Sequence, residues 1–152
     1  MMRVRNLALA ATAVATFFFS ASGSAHHSYA MFDGSRIKTI TGTVAKLEWV
    51  NPHVFLWVYV RNPDSDTGYD LYTLENGSPN VLRTRGWSQT FFKEGELLAI
   101  SYWPVIDGQN GGHFAVATRA DGTVVYGAGG PGGSPDAGKA IPPPAAPEES
   151  AR

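Results

Sequence analysis

The chain of 152 residues contains no cysteine. That absence removes thiolate metal sites, thiol nucleophiles, disulfides and lipid attachment through cysteine. Stability must come from a packed core. Positive charge is also scarce, with 12 Lys and Arg against 13 Asp and Glu. A nucleic-acid binder would carry a basic footprint, so no nucleic-acid partner is expected. No G-x-S-x-G, phosphate-loop or H-E-x-x-H pattern occurs, and the chain is read as a non-enzyme. Long apolar runs are missing too. Residues 7–19 form an uncharged apolar run of 13, short of the roughly 20 a membrane-crossing helix needs.

What is present begins with MMRVRNLALAATAVATFFFSASGSA. Arg3 and Arg5, an apolar run and then small residues are the pattern of a secretory signal peptide. Residues 1–25 are therefore expected to be cut off, leaving a periplasmic or secreted protein with no transmembrane segment. The cut best fits after Ala25, with Gly23 at minus three, although cuts after Ser24 or Gly23 also leave small residues. Removing Arg3 and Arg5 from the 12 basic residues leaves 10 against 13 acidic ones, a formal charge of −3. The mature chain would begin near AHHSYAMFD.

Residues 26–126 carry the apolar pattern of strands. IKTITGTVAKLEWV alternates around Gly42, which suggests a bend there. In HVFLWVYV, Val54, Leu56, Val58 and Val60 share one face, and His53, Phe55, Trp57 and Tyr59 share the other. Asn51 and Pro52 supply the turn between these two strands. YDLYTLE follows a polar loop as a third strand. In GSPNVLRTRGW, Ser78 suits a cap, Pro79 a first helical position and Gly86 a stop, which predicts about two turns of helix. KEGELLAISYW and GGHFAVATRADGTVVYG then give a fourth and a fifth strand, the last with a short extension.

Three strands, a helix and two strands is the order of an all-β, OB-fold-like Greek-key barrel of five strands with one short helix between strands 3 and 4. A small open sandwich would give a similar pattern. The final residues, 127–152, are dominated by Gly, Pro and Ala and contain one branched apolar residue, Ile141. Such a composition offers little apolar surface to offset the entropy of ordering, so a disordered spacer is expected.

Together, His-His-Ser after the leader, TGTVAKLEWVNPHV, GSPNVLRTRGW and the turn KEGE resemble a family of small exported bacterial proteins known only as a domain of unknown function. The matching positions are His26, His27 and Ser28; Glu48, Trp49, Asn51, Pro52 and His53; Gly77, Ser78, Pro79 and Asn80; and Arg85, Gly86 and Trp87. The resemblance extends over about residues 25–126 and implies a periplasmic protein with a small β-barrel. It implies no activity. One departure is Glu94, Gly95 and Glu96, where relatives often carry Pro-Gly-Asp; both make a turn.

Three groups of residues are candidates for chemistry. The four histidines, His26, His27, His53 and His113, are potential metal ligands, and imidazole suits copper, zinc and nickel. Cut after Ala25, the free amine and His26 would chelate one ion, which His27, His53 or His113 could complete. Cut after Ser24, His27 in third place would bind Cu(II) or Ni(II) with the amine and two amide nitrogens. The plainer alternative is that the paired histidines trail in solvent and that His53 bonds a carbonyl.

The second group is the strand-two face of Phe55, Trp57 and Tyr59, with the adjoining Trp49, Asn51 and His53, where aromatics can stack on a sugar, a flat molecule or a peptide. Against it stands coverage by Tyr29, Met31 and Phe32 or by another subunit. The third group is Arg83, Arg85 and Trp87. The arginines would either meet an anion or pair with Glu75, Glu94 or Glu96, while Trp87 plugs the barrel end. The leading expectation is a periplasmic binding protein for a small molecule, peptide or envelope protein on the strand-two face. Copper binding through the mature amino terminus comes next, and a structural role with the tail as a tether third.

Overall fold

The computed structural model describes residues 29–148. The signal-peptide reading, His26, His27 and Ser28 lie outside the described residues. Six strands follow one another: β1 (Lys38–Trp49), β2 (Val54–Arg61), β3 (Tyr69–Glu75), β4 (Leu97–Pro104), β5 (Gly111–Arg119) and β6 (Val124–Tyr126), with helix α1 (Pro79–Thr84) between β3 and β4.

β1 pairs antiparallel with both β2 and β4, β2 with β3, and β4 with β5. A parallel pairing of β3 with β5 closes the ring. Five strands in the circular order β1-β2-β3-β5-β4 make the expected closed barrel, and β6 extends it along the later half of β5. The seam is short, matching Thr73, Leu74 and Glu75 with Gly111, Gly112 and His113. Glycine is needed there, because a Cβ on Gly111 would lie 2.6 Å from the Thr73 carbonyl oxygen.

The alternation in β2 sorts its side chains as the pattern demands. Val54, Leu56 and Val58 are buried in the barrel with Val44, Leu74, Leu98, Ile100 and Phe114. Phe55, Trp57 and Tyr59 lie on the outer face, and Tyr59 is 49% exposed. The β1 irregularity falls between Val44 and Lys46, while Gly42 stays in register with Val60 and Leu98. Helix α1 is capped as its sequence requires: Ser78 Oγ accepts from the Val81 amide at 3.4 Å, Pro79 stands in the first turn, and Leu82 is buried.

The tail departs from the expectation of disorder as far as residue 148. Ala128 is 3% exposed and packs with the barrel core, and its amide donates to Asn76 Oδ1 at 2.8 Å. A 3-10 turn, Ala137–Ala140, lies on β5 so closely that a Cβ on Gly138 would be 2.5 Å from the Ala115 carbonyl oxygen. Ala137 and Ile141 join Tyr29, Phe32, Trp103, Ala115 and Val116 in a second apolar cluster. The physical reason is that β4 is buried at every position and β5 at all but Arg119. Their outward faces are largely apolar, and the tail and the segment at Tyr29 to Phe32 pack on them.

Candidate functional site

The closing seam builds a concavity lined by several polar side chains. Glu75 ends β3 and is the register partner of His113 on β5. β2 begins beside them, because the Asn76 amide donates to the Val54 carbonyl at 2.8 Å and the Val54 amide to Gly77 at 3.2 Å. His53, one residue earlier, thereby reaches Glu75, with Nδ1 2.7 Å from Oε1. Tyr29, His53, Glu75, Asn76 and His113 line a pocket of about 320 Å³, with Gly129 and Pro135 of the tail on its wall.

Two buried polar atoms here lack partners among the described residues: His113 Nδ1 and Asn76 Nδ2. The Asn76 amide has a defined orientation, since its Oδ1 accepts from the Gly77 and Ala128 amides, both at 2.8 Å. Its two N–H donors have no partner among the described residues. His113 is 1% exposed and lies against aromatic rings, with centroids 5.2 Å from Tyr29, 5.4 Å from Phe32 and 6.0 Å from Trp103. Burial pushes its pKa down to about 4 from an ordinary 6.5, so the ring is neutral at pH 7. Burial raises the Glu75 carboxyl, and the neighbouring His53 opposes that rise.

His113 makes the fold acid-sensitive. Its folded-state pKa lies below the unfolded one, so between about pH 6.5 and 4 the unfolded chain binds the extra proton and acid favours unfolding. The gap corresponds to about 3 kcal/mol. Glu75, raised by burial, works in the opposite direction over part of that window. Comparison with His113→Phe isolates the histidine. In urea melts, the wild type should lose stability relative to the variant as pH falls from 7 to 4. A constant difference would mean that the ring does not stay neutral in the fold.

The other candidate residues are spread apart. Trp57 is engaged on the outer face: its Nε1 donates to Glu48 Oε2 at 2.8 Å, and Lys46 Nζ lies 4.7 Å above its ring. Lys46 and then Trp57 hold the Glu48 carboxyl below the usual range. Phe55 is half-buried beside Met31 and Phe32, and Tyr59 remains open, opposite Leu71 and on one concavity with Tyr69. The segment at Tyr29 to Phe32 therefore covers the β4–β5 side and leaves the far end of the aromatic face bare. Asn51 is exposed on the turn, while Trp49 packs against the core beneath Arg83, 5.7 Å from its ring.

Arg85 does not face an open anion site. It donates to the carbonyls of Gly127 at 3.3 Å and Pro135 at 2.8 Å and pairs with Asp136 at 3.1 Å. Glu96, one of the acids considered for the arginines of this stretch, pairs with Arg119 instead. Trp87 is 4% exposed and stacks on Phe91 at 4.6 Å. Among the described residues no three His, Asp or Glu side chains gather closely enough to hold a metal ion.

The family model that matches residues 13–114 describes a family of unknown function, DUF6152. The chain belongs to that family. The match contains His53, Glu75, Asn76 and His113 and stops before the tail. No curated protein and no solved structure matches the chain. Among the described residues no helix is long and apolar enough to cross a membrane.

Proposed function

We propose that the protein is an exported, non-enzymatic binding domain of the bacterial envelope that takes a small polar ligand in the pocket at the barrel seam. One observation carries the reading: His113 and Asn76, whose Nδ1 and Nδ2 are buried and unpartnered among the described residues, line one pocket with the His53–Glu75 pair. A buried polar group left unpaired costs about 1–3 kcal/mol. A ligand supplying the missing partners would recover that cost on binding.

The His53–Glu75 pair is half of a catalytic constellation, a base and the group that orients it. Ser78, the one serine on the same pocket wall among the described residues, uses its oxygen to cap α1. Binding is therefore favoured over nucleophilic catalysis. The reading moves the ligand from the middle of the strand-two face to its edge, because Trp57 and Arg85 are occupied by the chain's own groups and Trp87 is in the core.

An NMR screen of small polar molecules against the labelled mature chain tests this. Hits should shift the Asn76 side-chain and His113 ring signals. A screen in which binders shift only Tyr59 and Tyr69 would return the site to the aromatic face, and one without binders would remove the small-molecule reading.

Copper binding is the second reading, favoured by the place where Tyr29 sits. Its ring is 5.2 Å from that of His113, and His27 stands two residues earlier, within about 7 Å of extended chain. A mature amino terminus at His26 would add its amine and two imidazoles to His53 and His113 as donors. Mature protein beginning at His26 should bind Cu(II) tightly, and one added Met should weaken binding sharply by removing the amine from its chelate. Affinity should also fall from about pH 7 to 5, as amine and imidazoles take up protons. Equal and weak binding by both forms would end this reading.

A further inference from the structure

We propose that the seam pocket selects an organic cation, namely a small molecule bearing a primary ammonium group with an oxygen acceptor a carbon or two away. This rests on the pocket being a ligand site, and it adds the chemical class.

Charge is the first argument. Among the described residues no lysine or arginine lines the pocket, and Glu75 is the one carboxylate there. Only its Oε1 is engaged by His53, which leaves Oε2 to accept from a ligand. An anionic ligand would meet Glu75 with no guanidinium or ammonium to offset the repulsion. His113 adds no positive charge at neutral pH, since burial keeps the ring neutral. A neutral imidazole has one acceptor nitrogen, and Nδ1, which has no partner among the described residues, is free to be it. Glu75 and His113 are register partners on adjacent strands, so their backbones run roughly 5 Å apart. An –NH3+ group has several N–H donors and can serve two acceptors.

The aromatic wall points the same way. Tyr29 presents its ring on the pocket, and the face of an aromatic ring attracts a desolvated cation. Asn76 then distinguishes an organic cation from a metal ion. With Oδ1 held by two backbone amides, its NH2 can only donate, and a bare metal ion offers it nothing to donate to. An oxygen next to the ammonium group does. The size fits as well, since about 320 Å³ is at the small end of ligand pockets.

The test titrates four probes into the full mature chain and follows the Asn76 side-chain and His113 ring signals. Ethanolamine carries both ammonium and oxygen, ethylamine the ammonium alone, ethylene glycol only oxygens, and acetate the opposite charge. Ethanolamine should bind best, ethylamine several-fold more weakly, and the glycol and acetate at least about tenfold more weakly. Glu75→Gln keeps the shape and should cost ethanolamine about tenfold with the melting temperature little changed.

The probe ranking in the wild type needs no variant, so a misfolded Glu75→Gln chain would not blunt the test. If acetate or the glycol binds best at these residues, the cation class is wrong while the pocket stands as a ligand site. If none of the four shifts these signals, the cation proposal falls. The broader screen then decides separately whether the pocket binds anything.

Discussion

A chain that ends at Tyr126 should melt at least about 10 °C below the full mature protein, if it folds at all. The segment removed looks dispensable by composition but is built into the barrel. Cutting it strips Ala137 and Ile141 from the apolar cluster around Trp103, Ala115 and Val116. It leaves the Asn76 side chain with one backbone donor instead of two, the Ala115 carbonyl without the Gly127 amide at 2.9 Å, and Thr118 without the Pro144 carbonyl at 2.6 Å. Arg85 would lose both of its carbonyl acceptors and Asp136 together.

Hydrogen bonds of this kind contribute about 1 kcal/mol each, and exposing the outer faces of β4 and β5 adds an apolar term of similar or greater size. A loss of at least about 3 kcal/mol is a fair lower bound, and each kcal/mol is worth a few degrees in a domain of this length. A chain ending at Glu148 serves as the control and should melt like the full protein. Melting of the shorter chain within two or so degrees of that control would mean that the tail rests on the barrel without stabilising it.

That the tail belongs to the fold is written in the strands it covers, not in its own residues. LLAISYWP and GGHFAVATR are apolar almost without alternation, and a strand of that kind needs cover on both faces. The barrel interior covers only one. Gly, Pro and Ala suggest disorder in an isolated segment, yet here small residues are what allow close approach, as Gly138 against Ala115 shows.

Elsewhere local pattern and structure agree, because the governing interactions are local. The period of two in β2 assigned Val54, Leu56 and Val58 to the core, and Ser78, Pro79 and Gly86 bounded α1 where the chain turns. The site is different. His53 and His113 could be singled out as residue types, but Glu75 as the partner of His53 and Asn76 as a neighbour in the same pocket could not. Glu75 meets His113 through a parallel pairing across 38 positions, and no periodicity within a strand reports the register of a closing seam. One trace of it was legible: two glycines directly before His113, which mark a place where two backbones approach closely.

The two faces of β2 can be separated by a pair of substitutions. Val58→Asp should unfold the domain. Val58 is fully buried, with Val44 and Tyr72 as its cross-strand partners, and no cation of the barrel interior can meet a carboxylate placed there. The core cluster around it consists of apolar and aromatic side chains. An unpaired charge in such surroundings costs several kcal/mol, a large part of a total stability of roughly 5–15 kcal/mol.

Trp57→Ser, one residue away, should leave the domain folded. It gives up the indole bond to Glu48 and the Lys46 contact on the outer face, together worth about 1–2 kcal/mol. Glu48 and Lys46 can still pair with each other at 3.2 Å, so no buried charge is stranded. Circular dichroism melts of the two variants give the answer. A folded Val58→Asp chain beside an unfolded Trp57→Ser chain would place the core on the aromatic side of β2, and with it would fall the barrel register that brings His53 to Glu75.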